Sequence, residues 1–209
     1  MLPKHWTDRV PAHVGEAVFM TFSLARGYAA CALFALAAVL AASPGSAVVE
    51  KVMKMCGGQL CPLFRPSFAV PDGWWEDHKT GMRLGVHLFI PAGETFDSAP
   101  VLIYATARHS QEGEDVVAAV ANHHETWRRK VPEVAITKLD DVRRGDGAAF
   151  QQHHFVSPNL ASQPYERVAT GLDGDAEGNI FVVRLVLTAK SEAAVKRAEE
   201  VFVDLLKRY

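Results

Sequence analysis

Residues 180–207, IFVVRLVLTAKSEAAVKRAEEVFVDLLK, decide the fold of this chain. The first ten of them, 180–189, are almost all apolar and rich in β-branched side chains, which is typical of a strand buried on both faces. Ser191 is a good helix cap, and apolar residues then recur at helical spacing: Ala194, Val195, Ala198, Val201, Phe202 and Leu205. A buried strand that runs directly into an amphipathic helix over 191–207 predicts a sheet with this helix packed against it.

The segments upstream have the patterns of further strands and of one more helix. Residues 101–107, VLIYATA, are apolar on both faces and predict a strand in the middle of the sheet. From Asp115 to Val131 the apolar residues recur at helical spacing, and Pro132 ends the helix. Strand patterns also cover 134–142, 148–156 and 165–172. The order of elements, without regular alternation of strands and helices, predicts an α+β fold with a mainly antiparallel sheet.

Three stretches of the chain resemble the PsbP-like superfamily. They are FAVPDGWW at 68–75, GMRLGVHLFIP at 81–91, which alternates as a strand over 82–90, and the long strand and helix at 181–207. The resemblance implies an α/β/α sandwich in which two helices pack on a mainly antiparallel sheet. It also implies a secreted domain of the kind that docks on partners, and it provides no common set of catalytic residues.

The N-terminal part of the chain has the pattern of a secretory signal peptide. Arg26 precedes an apolar run over 27–42, and Gly45 and Ala47 supply small side chains for cleavage. We therefore expect residues 1–19 to be a start-site overextension, 20–47 a leader and 48–209 a single periplasmic or secreted domain. The alternative is an uncleaved anchor, but 27–42 is shorter than the roughly 20 residues that span a bilayer. Contact with the membrane is thus expected only through the cleaved leader.

Charge and cysteine content limit the environment and the partners of the domain. The chain has a formal net charge of −2, and removal of the leader removes more basic than acidic residues, so we expect no binding to nucleic acid. Cys31 lies in the leader, which leaves Cys56 and Cys61 as a pair separated by the flexible sequence GGQL. In an exported protein such a pair predicts a disulfide.

The histidines suggest a metal site, although burial of each ring in the core is the simpler interpretation. His153 and His154 point to opposite faces of a strand, so they cannot bind one ion together. A composite site would need the helix to bring His124 toward His87 or toward one of this pair. The metal-ligand hypothesis therefore names His87, His124, His153 and His154.

Motifs for catalysis are absent from the sequence. There is no nucleophile elbow G-x-S-x-G, no phosphate loop and no dinucleotide fingerprint. The sequence therefore predicts an exported, non-enzymatic accessory or binding module without a cofactor, whose partner is a protein or a small ligand. The histidine-based transition-metal-binding protein is the alternative.

Overall fold

A computed structural model of the chain describes residues 49–209 except Ala161 and Ala176. The predicted leader, the segment before it and its cleavage site lie outside the described residues. Within this range the chain forms ten strands and three helices: β1 (Val49–Cys56), β2 (Gln59–Pro66), β3 (Trp74–Glu76), α1 (His78–Leu84), β4 (His87–Pro91), β5 (Val101–His109), α2 (Val116–Lys130), β6 (Ala135–Lys138), β7 (Val142–Arg143), β8 (Ala149–Val156), β9 (Tyr165–Gly174), β10 (Ile180–Ala189) and α3 (Glu192–Arg208).

The main sheet has the strand order β3-β4-β5-β10-β9-β8-β6, with β7 paired to β8, and every pair of neighbours is antiparallel. β10 lies in the middle, and β5, which the sequence predicts there, is its neighbour. Alternate residues of β10 point to opposite faces: Leu185 packs with α3, whereas Arg184 donates a hydrogen bond to the Ala119 carbonyl oxygen of α2. The predicted α+β class, with helices on both faces of an antiparallel sheet, is confirmed.

The helix α3 forms where the sequence predicts it. Ser191 caps it by accepting a hydrogen bond from the Ala194 backbone N–H at 3.2 Å. Its apolar stripe is buried, and Phe202 and Leu205 belong to the largest core cluster. The strand β10 and the helix therefore bury each other's apolar side chains, as the pattern over 180–207 requires.

The predicted strand over 82–90 is wrong in its first half, because residues 78–84 form α1. Asp77 caps this helix by accepting a hydrogen bond from Thr80 N–H at 2.9 Å, and Gly85 ends it with a φ of 80°. A side chain at Gly81 would put its Cβ 2.7 Å from the Val86 carbonyl oxygen, so the helix end folds tightly onto the start of β4. The strand begins only at His87.

A hairpin that the sequence analysis does not predict precedes the main sheet. β1 and β2 pair from Val49 opposite Pro66 to Cys56 opposite Gln59, and Gly57 and Gly58 both take positive φ in the two-residue turn. The predicted partners Cys56 and Cys61 lie at disulfide distance, with Cα atoms 5.9 Å apart. The outer part of the hairpin exposes apolar side chains: Met53, Met55 and Leu60.

The paired cysteines give a first test of export. We expect protein recovered from outside the cytoplasm to begin near Val48 and to react with no thiol reagent until it is reduced, because an oxidising compartment favours the bond. Intact mass before and after alkylation measures both features. The variant with serine at Cys56 and Cys61 is the control for the alkylation. Two alkylated thiols without reduction, or a chain that still begins at Met1 or Met20, would contradict the prediction.

Among the described helices, none combines the length and the apolar character that a membrane span requires.

Candidate functional site

An apolar groove of about 130 Å³ lies at the end of α1, over β4 and β5. Three parts of the chain form its walls: the end of α1 with β4, the loop before β5 with β5 itself, and the loop before β9 with β10. The lining residues are Leu84, Val86, Leu88, Phe96, Leu102, Tyr104, Gln163 and Thr188. Six of these side chains are aliphatic or aromatic, so the groove offers an apolar surface with a few polar groups at its margin.

Local structure explains how the apolar side chains reach the groove. Leu88 on β4 lies opposite Tyr104 on β5, so both point to the face of the sheet that carries α2. Leu102, two residues before Tyr104, points the same way and packs with Leu88 and Phe96 in a small core cluster. Gly85 ends α1 and leaves Leu84 half exposed at the margin. The floor of the groove is thus core, and its margin is open to solvent.

Glu166 provides a carboxyl group beside the groove. It lies on β9 opposite Thr188, whose hydroxyl donates a hydrogen bond to Gln163 Oε1 at 2.9 Å. Burial alone raises the pKa of Glu166 to about 7, and no described cation lowers it. Burial also raises the pKa of Tyr104, and the Glu166 carboxylate adds to this effect. The site therefore combines an apolar surface with a carboxyl group that lacks a partner cation.

The structure brings two of the four predicted metal ligands together. His124 on α2 and His153 on β8 have ring centroids 4.5 Å apart, edge to face, and His124 also packs edge to face on Phe155. Nε2 of His124 is buried and has no hydrogen-bond partner among the described residues. Burial, then the neighbouring His153, lower the pKa of His124 to about 4, and burial lowers that of His153. Both rings are therefore neutral at pH 7.

The other two predicted ligands lie elsewhere, so the composite site with His87 is not formed. His87 packs on Phe89 on the face opposite α2, its Nδ1 donates to the Pro66 carbonyl oxygen at 3.1 Å, and three strands separate β4 from β8. His154 points away from His153 and stacks on Tyr165. Across the described part of the chain, no cluster of three or more His, Cys, Asp or Glu side chains could hold a metal ion.

A second concavity, of about 540 Å³, is lined by charged side chains that already pair with one another. Arg108 forms two hydrogen bonds with Glu114, which lower the pKa of Glu114 to about 2. Arg144 pairs with Asp146 and lies 3.6 Å from Asp173. These groups stabilise the loops around them, and they leave no free charge for a ligand.

Glu166 and the groove are not among the sites predicted from the sequence. The signal for Glu166 was present, because strand alternation over 165–172 puts it on the same face as Val168, which is buried. No sequence pattern indicates the groove, because its lining residues come from separate segments between Leu84 and Thr188 that meet only in the folded domain.

Comparisons with known proteins do not identify the chain. No protein-family model matches it, and no curated protein matches it. Among solved structures it is similar to a Pseudomonas aeruginosa protein described as of unknown function, at 12% sequence identity and a TM-score of 0.41. That match covers 74% of this chain and 92% of the other.

Proposed function

We propose that the chain is an exported, non-enzymatic binding module that takes a small ligand with an apolar group and an amine. The apolar group would fill the groove beside α1, and the ammonium would face the carboxyl group of Glu166. The meeting of this groove with a carboxyl group that has no partner cation in the described part of the chain is the observation that carries the proposal. Export rests on the predicted leader and on the cysteine pair, and the absence of catalysis rests on the sequence motifs.

The volume of the groove limits the apolar part of the ligand. A cavity of roughly 150 Å³ lined by aliphatic and phenyl side chains accommodates one benzene ring. The groove has about 130 Å³ and a similar lining, so it fits one ring or one branched aliphatic group. Its open margin near Leu84 lets the rest of a larger ligand extend into solvent.

The position of Glu166 selects the charge of the ligand. An ionised carboxylate that is partly buried without a partner is unfavourable, and an ammonium group at hydrogen-bond distance would remove that cost. We therefore expect amines to bind more tightly as the pH rises through about 7, where Glu166 loses its proton. A neutral ligand of the same shape should show no such dependence.

Benzylamine and benzyl alcohol form a matched pair of probes for this proposal. At about pH 8 we expect benzylamine to bind roughly tenfold more tightly than benzyl alcohol, which corresponds to one charge-assisted hydrogen bond. The difference should disappear in Glu166→Gln. Titration followed by amide chemical shifts measures both affinities, and the shifts should concentrate around Leu88, Leu102 and Tyr104.

Two controls make the outcome decisive. Glu112→Gln removes an exposed carboxylate and should leave both affinities unchanged. Equal binding of the two probes would contradict the proposed role of Glu166, but it would still support the groove as the binding site for the apolar group. No chemical-shift change with either probe at millimolar concentration would contradict the groove itself.

A further inference from the structure

The pair formed by His124 and His153 lies outside the groove, with the two ring centroids 4.5 Å apart. His124 lies on α2 and His153 on β8, and the packing of Trp127 on Phe155 fixes the helix against that strand. The side chain of His153 is only 8% exposed. A buried imidazole nitrogen usually has a hydrogen-bond partner, and Nε2 of His124 has none among the described residues. Nε2 of His123 and of His154 shares this property, but of these three rings only that of His124 packs against a second histidine.

We infer that His124 and His153 together bind one divalent transition-metal ion, with Cu²⁺ bound more tightly than Ni²⁺ or Zn²⁺. Imidazole nitrogen suits all three ions, and Cu²⁺ forms the most stable complexes with such ligands. The inference is independent of the proposed amine site, which contains neither histidine.

The number of ligands sets the expected affinity. Two imidazoles fill only part of the coordination sphere of Cu²⁺, and water would occupy the other positions. We therefore expect one ion per chain in the micromolar range. Weaker binding of Ni²⁺ and Zn²⁺ follows from the same ligand set.

The chain supplies its own matched controls. His154 is adjacent to His153 on β8 but points to the opposite face, where it stacks on Tyr165. His123 is adjacent to His124 on α2, about 100° around the helix, and packs edge to face on Phe155. Loss of His123 or His154 removes the same chemical group from the same element, without removing a ligand of the inferred site.

Calorimetric titration of the purified protein with CuCl₂ tests the inference. We expect one site, with the Kd raised about tenfold or more in His124→Ala and in His153→Ala, because each removes one of only two ligands. His123→Ala and His154→Ala should keep the wild-type affinity. Thermal unfolding of each variant identifies any that fails to fold. If His124→Ala fails to fold, His124→Gln replaces it, because His124 lies on the half-buried face of α2.

Fluorescence gives a second measurement at the site. Trp127 lies on the same helix face as His124, one turn later, so bound Cu²⁺ should quench its emission. The quenching should be lost in His124→Gln and in Trp127→Phe. The absence of stoichiometric copper binding by the wild type, or an equal loss of affinity in His153→Ala and His154→Ala, would overturn the inference.

Discussion

Phe202→Ala should lower the free energy of unfolding by about 3–5 kcal/mol, the range for deletion of a fully buried phenylalanine side chain. Phe202 has no solvent exposure and packs in the largest core cluster with residues of β10 and β5. The Arg167 guanidinium lies 5.9 Å from its ring centre and pairs with Glu199 one turn earlier. Removal of the ring would therefore leave a cavity beneath α3 and weaken a cation–π contact. Urea denaturation followed by circular dichroism measures the change.

Neighbouring positions on α3 provide the controls. Leu205→Ala should cost about 2–5 kcal/mol for the same reason, since Leu205 is 1% exposed. Glu200→Ala, two residues from Phe202 on the exposed side of the helix, should stay within about 0.5 kcal/mol of the wild type. Changes below about 1 kcal/mol at both Phe202 and Leu205 would show that α3 does not pack on the sheet in solution.

The long helices could be predicted from the sequence because their signals are local. The predicted bounds 115–131 and 191–207 differ by one residue from α2 and α3. Asp115 and Ser191 cap these helices with their own side chains, and the apolar stripes belong to the helices themselves. The strands β8, β9 and β10 follow for a similar reason, since alternation and β-branched composition are properties of each segment.

The helix α1 and the hairpin β1–β2 depend on interactions that the local pattern does not reveal. In α1 seven residues are held by a cap at Asp77, a left-handed Gly85 and the close approach of Gly81 to β4. The same stretch alternates in polarity, which favours a strand when it is considered alone. The hairpin has an exposed outer face with Met53, Met55 and Leu60, so its pattern lacks the polar alternation of a half-buried strand.

The candidate sites could be predicted only in part, because strand order is not encoded locally. Alternation along β8 correctly separates His153 from His154. His87 does not join this pair, since it lies on the face of the sheet opposite α2, and three strands separate β4 from β8. The groove joins Leu84 to Thr188, and such a meeting depends on the tertiary packing of the whole domain.

Glu166→Gln should stabilise the protein at about pH 8 by up to roughly 3 kcal/mol and leave it unchanged near pH 4.5. Burial raises the folded-state pKa of Glu166 from 4.5 to about 7. A carboxyl with a raised folded-state pKa contributes full stability below its unfolded pKa, and that stability is lost as the pH rises through about 7. The glutamine keeps the shape of the side chain but cannot ionise, so the variant avoids the loss. Urea denaturation at both pH values measures the difference.

The pH dependence separates ionisation from packing. Glu112→Gln should change stability by less than about 0.5 kcal/mol at either pH, because Glu112 is exposed. A gain of the same size at both pH values in Glu166→Gln would mean that burial of the charge is not its cause. Ligand binding gives the last discriminating measurement: an ammonium beside the ionised Glu166 offsets its unfavourable burial, so benzylamine at about pH 8 should stabilise the wild type more than Glu166→Gln.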